Sequence, residues 1–272
     1  MAGYRLIQFS AHPIYAAPVN VGVLVWSGHE AHLKMLGFEA DAPFRSHIYR
    51  QLASHHPVAD EVLQEWAAWF LAISEDPRRL GEEGQLQLDE LAENGGSFSC
   101  ANYGQIDGVE EGLSLVVDDF FQKCVLSNPM TRRLVLQDHL HQVLEEAGLD
   151  GLADTVADAE VELVPKKGLG SGLLYFPWFY QGDKLKAAIK LVDFDADSVA
   201  VIQQVADAMG AFETAISRKV LTHEECVVVL SGDTADFRQH VKWLQSRAIV
   251  LDIADRQGTI SFFKQLLAKN TL

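Results

Sequence analysis

The stretch of residues 176–255 constrains the fold most, because strand-like and helical patterns alternate along it. It begins with two strand-like runs on either side of a Gly-Asp turn. A long helical pattern over 198–219, a strand, a second helical pattern over 234–246 and a last strand follow. The last two strands contain Val-Val-Val-Leu and Ala-Ile-Val-Leu, and uninterrupted apolar runs are typical of strands buried on both faces. The stretch therefore predicts a C-terminal mixed sheet covered by helices.

The N-terminal part has a different pattern. Residues 4–10 and 18–26 predict a pair of antiparallel strands, since valines recur at every second position of the later run. A third strand is expected over 30–38. Apolar residues over 58–70, including two tryptophans, follow helical spacing and predict a helix packed on the core. The fold class is therefore α+β or α/β, with N-terminal antiparallel strands and helices.

The chain of 272 residues is long enough for two domains. Residues 150–174 pass from acidic residues through a short apolar run to a glycine-rich turn, which indicates a domain boundary, and the glycine-rich residues 168–172 favour a flexible linker. We predict an N-terminal α+β domain over 1–150 and a C-terminal α/β domain over 151–272. The glycines near residue 170 lack the spacing of a phosphate-binding loop.

The net charge of −16 is concentrated in the middle of the chain, where residues 61–160 hold 21 acidic and 5 basic residues. Because attraction to phosphates supplies most nonspecific nucleic-acid affinity, this acidity disfavours such binding. An acidic surface that aids solubility is the favoured interpretation. The alternatives are a face that meets a basic partner and a face that imitates DNA.

The remaining composition bears on the location of the protein. The three cysteines are few and odd in number, which favours reduced thiols over a disulfide framework. No apolar run approaches the roughly 20 residues that span a bilayer, and the N-terminus lacks the pattern of a secretory signal. We therefore expect a cytoplasmic protein with no membrane partner.

The candidate catalytic residues are Lys190, Asp193 and Asp195, at the end of a predicted strand. The strand pair followed by helix, strand, helix and strand resembles the later half of a restriction-endonuclease-like core. That resemblance implies two carboxylates that hold a divalent ion such as magnesium, with a lysine beside the phosphate. Here the lysine precedes the acids, which departs from the family order. The favoured alternative is that these aspartates simply end the strand and that Asp197 or Ser198 caps the next helix, so we expect no metal site and no cofactor.

Three further residues are candidates for binding. Asp233 follows a buried strand and precedes a helix, which is where open α/β sheets bind ligands, although it also suits a turn. Asn20 and Gly22 lie in the second N-terminal strand, where the glycine indicates a bulge or a close backbone neighbour.

Residues 4–26 and 97–126 together resemble a bacterial family known as domain of unknown function 3037. The matching positions are 19–23, 97–101 and 113–121, and the resemblance covers about half of the chain. It implies a small cytoplasmic protein of bacteria and mobile elements that binds partners. The family supplies no catalytic residues to carry over.

The leading prediction is a non-enzymatic protein-interaction component of a prokaryotic or phage system, acting in phage defence or counter-defence. A protein partner is expected, a homo-oligomer is compatible with the sequence, and nucleic-acid binding stays open. The alternatives are a metal-dependent nuclease of restriction-endonuclease-like fold and an acidic DNA mimic.

Overall fold

The computed structural model of the protein describes most of the chain, namely residues 2–11, 17–28, 30–38, 44–53, 58–75, 97–106, 112–149, 155–163, 172–182 and 186–271. The chain divides into two compact units, residues 1–135 and 136–272. The division into independent domains at 150/151 stays a prediction. No helix in the described ranges is long and apolar enough to cross a bilayer.

The first unit is built on a four-stranded antiparallel sheet. Its strands are β1 (Ala2–Phe9), β2 (Val19–Ser27), β3 (Glu30–Met35) and β4 (Phe98–Ile106), in the order β3-β2-β1-β4. Its helices are α1 (His47–Leu52), α2 (Asp60–Glu75) and α3 (Leu113–Phe120), and α3 continues into a π-helical turn, Phe121–Val125. The antiparallel strands and the helix expected near residues 58–70 are confirmed.

Aromatic side chains join this sheet to its helices. The Phe9 ring lies 5.2 Å from the ring of Tyr49 on α1 and 5.1 Å from that of Phe98 on β4. The Tyr4 ring lies 4.9 Å from Phe120 at the end of α3. Since Tyr49, Phe9 and Phe98 are almost fully buried, these rings form the centre of the first core.

The second unit is built on a five-stranded mixed sheet. Its strands are β5 (Thr155–Leu163), β6 (Gly172–Gln181), β7 (Lys186–Asp193), β8 (Cys226–Ser231) and β9 (Ile249–Asp252), and they lie in chain order across the sheet. Strands β5, β6 and β7 are antiparallel, whereas β7, β8 and β9 are parallel. The remaining helices are α4 (Pro129–Ala147), α5 (Ser198–Ser217), α6 (Arg238–Gln245) and α7 (Arg256–Thr271).

Helices cover both faces of this mixed sheet. Helices α5 and α6 pack on one face, and the C-terminal part of α4 packs with α7 on the other. Every residue of β8 before Ser231 is buried, as expected for a strand between two helical layers. The predicted mixed sheet covered by helices is confirmed.

The predicted domain boundary, residues 150–174, contains strand segments that the sequence did not reveal, namely β5 and the first residues of β6. In β5 the buried Ala159 and Leu163 alternate with the exposed Glu160 and Glu162, so the acidic positions are the outward face of a strand. The glycine-rich residues 164–171 lie outside the described part of the chain.

Candidate functional site

The parallel half of the second sheet has one edge at which three strands end. The last residues of β7, β8 and β9 are Asp193, Ser231 and Asp252. Carboxyl ends of parallel strands meet at the same edge, and open α/β sheets bind their ligands there. The loops that follow are rich in aspartate, so this edge is the candidate site.

The side chains of Asp193 and Asp195 accept hydrogen bonds from backbone amides at this edge. The Asp193 Oδ1 accepts the amide N–H of Asp195 at 3.1 Å, and the Asp195 Oδ1 accepts the amide N–H of Asp233 at 3.1 Å. The second bond joins the loop after β7 to the loop after β8. The structure thus brings the predicted residues Asp195 and Asp233 together, through a side chain and a backbone amide.

Gly232 allows this close approach of the two loops. Its φ is +87°, which is in the left-handed region, and a Cβ there would lie 2.5 Å from the Asp195 Cγ. A side chain would therefore both strain the backbone and collide with the carboxylate. Glycine is required at this position for Asp195 to reach the next loop.

Other aspartates of the edge bind backbone amides in the same way. Asp233 accepts from Ala235, Asp252 from Ala254, Asp255 from Gly258, and Asp197 from Val199 and Ala200. The predicted capping of the long helix α5 by Asp197 is confirmed. Among the described residues, no group of three or more His, Cys, Asp or Glu could hold a metal ion.

Lys190 forms its ion pair with a residue of α5 and not with these loops. Its Nζ lies 2.7 Å from the Asp207 Oδ2, and 5.8 and 5.4 Å from the ring centroids of Tyr175 and Phe176. The lysine is only 5% exposed. An ion pair and two ring faces hold the ammonium group inside the structure.

Strand alternation separates Lys190 from Asp193. Lys190 alternates with Ala188 and Val192, whose side chains belong to the core beneath α5 and α6. Asp193 instead has the parity of Ile189, which packs in the core on the opposite face. The structure therefore does not bring the candidate lysine to the candidate carboxylates.

Asn20 and Gly22 have partners in the first unit. The Asn20 Nδ2 donates to the Cys124 carbonyl at 3.0 Å, and its Oδ1 accepts from the Gln8 Nε2 at 2.9 Å. A Cβ on Gly22 would lie 3.1 Å from the Lys34 carbonyl oxygen. The register between β1 and β2 also shifts beside Gly22, so the bulge and the close neighbour expected from the sequence are both present.

The π-helical turn is a feature that the sequence did not reveal. Its Val125 carbonyl accepts from the buried Thr131 Oγ1, and its Cys124 carbonyl accepts from Asn20. A π-turn displaces the regular carbonyl pairing of a helix and often occurs at functional sites. Here the side chains of the distant Asn20 and the nearby Thr131 bind the displaced carbonyls, so Asn20 has a structural role.

Two of the described thiols, those of Cys124 and Cys226, are poorly suited to act as nucleophiles. Burial, with a smaller effect of Glu225, raises the pKa of Cys226 to about 12. Burial and then Asp119 raise the pKa of Cys124, against a smaller lowering by Lys123. Because the thiolate is the reactive form, both groups are largely protonated at neutral pH.

Hydrogen bonds within the chain thus account for the positions of the edge aspartates and of the Asn20 side chain. The resemblances to the domain of unknown function 3037 and to a restriction-endonuclease-like core stay predictions. Comparison with family models, with curated proteins and with solved structures found no match to this chain.

Proposed function

We propose that the protein is a non-enzymatic, cytoplasmic protein-binding component of a prokaryotic or phage system, acting in phage defence or counter-defence. The observation that carries the proposal is the engagement of Lys190 by Asp207, on the side of β7 opposite Asp193. A phosphodiester-cleaving site of the kind considered needs the amine and the carboxylates around one phosphate.

The position of the lysine supports the proposal more strongly than the bonds of the aspartates do. One hydrogen bond from an amide does not by itself prevent a carboxylate from binding other groups, because a carboxylate has about four lone-pair sites. Lys190, by contrast, would have to leave its ion pair with the exposed Asp207 and two ring contacts to reach the edge.

The test is reconstitution of a complex. The tagged full chain is isolated from its natural host, and any stoichiometric partner is purified separately and recombined. We expect a complex that re-forms from the two pure proteins with a micromolar or tighter Kd, and no turnover by the chain alone. Failure of every captured protein to re-form a complex, together with turnover of a substrate, would overturn the proposal.

A metal-dependent nuclease is the second candidate, because the bond between Asp195 and the Asp233 amide concentrates carboxylates at the edge. The purified chain is incubated with DNA and with RNA in magnesium and in manganese, and we expect no cleavage. The paired variant Asp193→Asn with Asp195→Asn is compared with the control Asp236→Asn. Cleavage that the control retains and the paired variant loses would establish the nuclease and remove our proposal.

A DNA mimic is less well supported. Several described acids of residues 61–160 are paired, since Asp118 contacts Lys34, Asp119 contacts Lys123 and Glu146 contacts Arg256. Asp138 is buried. A mimic needs unpaired charge at regular spacing along one surface. Acidic residues 76–96 lie outside the described ranges, and displacement of DNA from a nonspecific DNA-binding protein would test the idea.

A further inference from the structure

Helix α5 carries two apolar stripes. The buried stripe faces the sheet and contains Val201, Val205, Ala208 and Phe212. A second stripe at i, i+3 and i+7 is exposed: Val199 is 65% exposed, Ile202 is 49% exposed, and Ala206 is also exposed. Surface helices normally place polar residues opposite their buried face, so this helix departs from the rule.

The exposed stripe has no charge within it. The chain contains no ionisable residue between Asp197 and Asp207. Val and Ile at exposed helix positions also lower helix propensity relative to Ala, by up to about 0.7 kcal/mol each. Folding of α5 alone therefore gains nothing from Val199 and Ile202 at these places.

Carboxylates border the stripe at its N-terminal end. Asp195, Asp197 and Asp233 are exposed, and Asp236 follows in the next loop. Each of the first three accepts a backbone amide, Asp195 from Asp233, Asp197 from Val199 and Asp233 from Ala235. An apolar centre with a charged rim is the usual anatomy of a protein interface.

The net charge of the whole chain has the same sign as this rim. At a net charge of −16, the protein attracts cations over long distances and repels nucleic acid. Electrostatic attraction of this kind steers association and selects partners of opposite charge. A basic partner therefore fits both the local rim and the overall field.

We propose that the exposed stripe of α5 docks a basic amphipathic helix of a partner protein. The partner's apolar residues, spaced i, i+3 or i+4 and i+7, pack on Val199, Ile202 and Ala206. Its Lys and Arg residues lie toward Asp195 and Asp197. Helix-on-helix recognition of this kind uses one apolar face with charged flanks. The inference rests on the proposed function and names the surface and the partner that the function requires.

The test compares two lysine substitutions with the same charge change. Ile202→Lys places a cation in the stripe, and the control Leu115→Lys alters a residue of α3 in the first unit that is 57% exposed. The probe is a fluorescein-labelled amphipathic helical peptide of Leu and Lys, followed by anisotropy. We expect Ile202→Lys to weaken peptide binding about tenfold, because it removes apolar contact and adds like charge. The control should change the affinity by less than about threefold, through net charge alone.

The outcomes separate this surface from the proposed function. Equal weakening by both variants, or no binding of the peptide by the wild type, would overturn the docking surface. Ile202→Ala serves as a second variant, because it leaves the charge and the fold unchanged and should weaken binding severalfold. If the reconstituted native complex is insensitive to Ile202→Lys and Ile202→Ala, the α5 surface is wrong while the proposed function stands. Binding of single-stranded DNA in place of the peptide would also overturn the inference.

Discussion

The two sheets use polar side chains in opposite ways. In the antiparallel sheet, the Asn20 amide donates to a carbonyl of the π-helical turn, 104 positions later in the chain. In the mixed sheet, Asp193 accepts an amide two positions away, and Asp195 accepts the amide of Asp233 in the neighbouring loop. The asparagine bond joins distant segments, whereas the aspartate bonds shape the loops that follow neighbouring strands.

The difference depends on whether the backbone of each region presents carbonyls that need hydrogen-bond donors or amides that need acceptors. A π-turn leaves carbonyls that need donors, and an amide or hydroxyl side chain supplies them. Loops that lead into helices present amide N–H groups that need acceptors, and carboxylates supply those. Asparagine in the first sheet and aspartate in the second therefore suit their positions without any ligand.

The largest effect is expected at Gly232, where the loops after β7 and β8 approach most closely. Gly232→Ala should lower the free energy of unfolding by about 3 kcal/mol, since it combines a left-handed φ with a collision against Asp195. Urea unfolding measures the change. Gly210→Ala is the control, because Gly210 lies within α5 and nothing would lie within 4 Å of its Cβ. The control should gain up to about 1 kcal/mol. Unchanged stability of Gly232→Ala would show that the two loops need no such approach.

A smaller effect should follow loss of the long-range bond in the first sheet. Asn20→Asp keeps the side-chain shape but removes the donor to the Cys124 carbonyl, and we expect a loss of about 2 kcal/mol. Gln239→Glu makes the same chemical change at an exposed position of α6 and should alter stability by less than about 0.5 kcal/mol. If Asn20→Asp unfolds at the wild-type urea concentration but loses partner binding, Asn20 is a binding residue, as the sequence suggested.

The smallest effect is the pH dependence of stability that comes from a buried thiol, which we compare between Cys226 of the second unit and Cys124 of the first. The pKa of Cys226 is raised from 9.0 to about 12, so its stabilising contribution is complete below pH 9 and is lost as pH rises toward 12. Between about pH 8 and about pH 10, the wild type should lose about 1 kcal/mol more than Cys226→Ala. The measurement is the difference of urea unfolding free energies. Cys124→Ala should reduce the loss less, since Cys124 is only partly buried. Equal pH dependence of Cys226→Ala and the wild type would contradict burial of an uncharged thiol.

Local patterns were sufficient to predict much of the second unit. The apolar runs of β8 and β9, the helical period of α5 and its Asp197 cap all lie within short windows of sequence. Neither the C-terminal helix α7 nor the strand β5 was predicted. The outward glutamates of β5 resemble an acidic connection until its pairing with β6 is known.

The candidate site was harder to predict, because its contacts depend on distant partners. The sequence placed Lys190, Asp193 and Asp195 on one strand end, but Asp207 and the rings of β6 decide where the lysine lies. The role of Asn20 likewise depends on Cys124, which belongs to another element. Residue types and spacing indicated which groups matter, and tertiary pairing determined what they do.

Pro177 has a consequence for how the second sheet opens. The pairing of β6 with β7 runs from Gln181 to Trp178 and ends there, and the next residue, Pro177, has no N–H to continue the ladder. Residues 172–176 of β6 consequently pair with β5 on one side only. Hydrogen–deuterium exchange should therefore be faster in residues 172–176 than in β8, which has a paired strand on each side. We expect opening of the sheet to begin in β5 and the first residues of β6, before the parallel half opens.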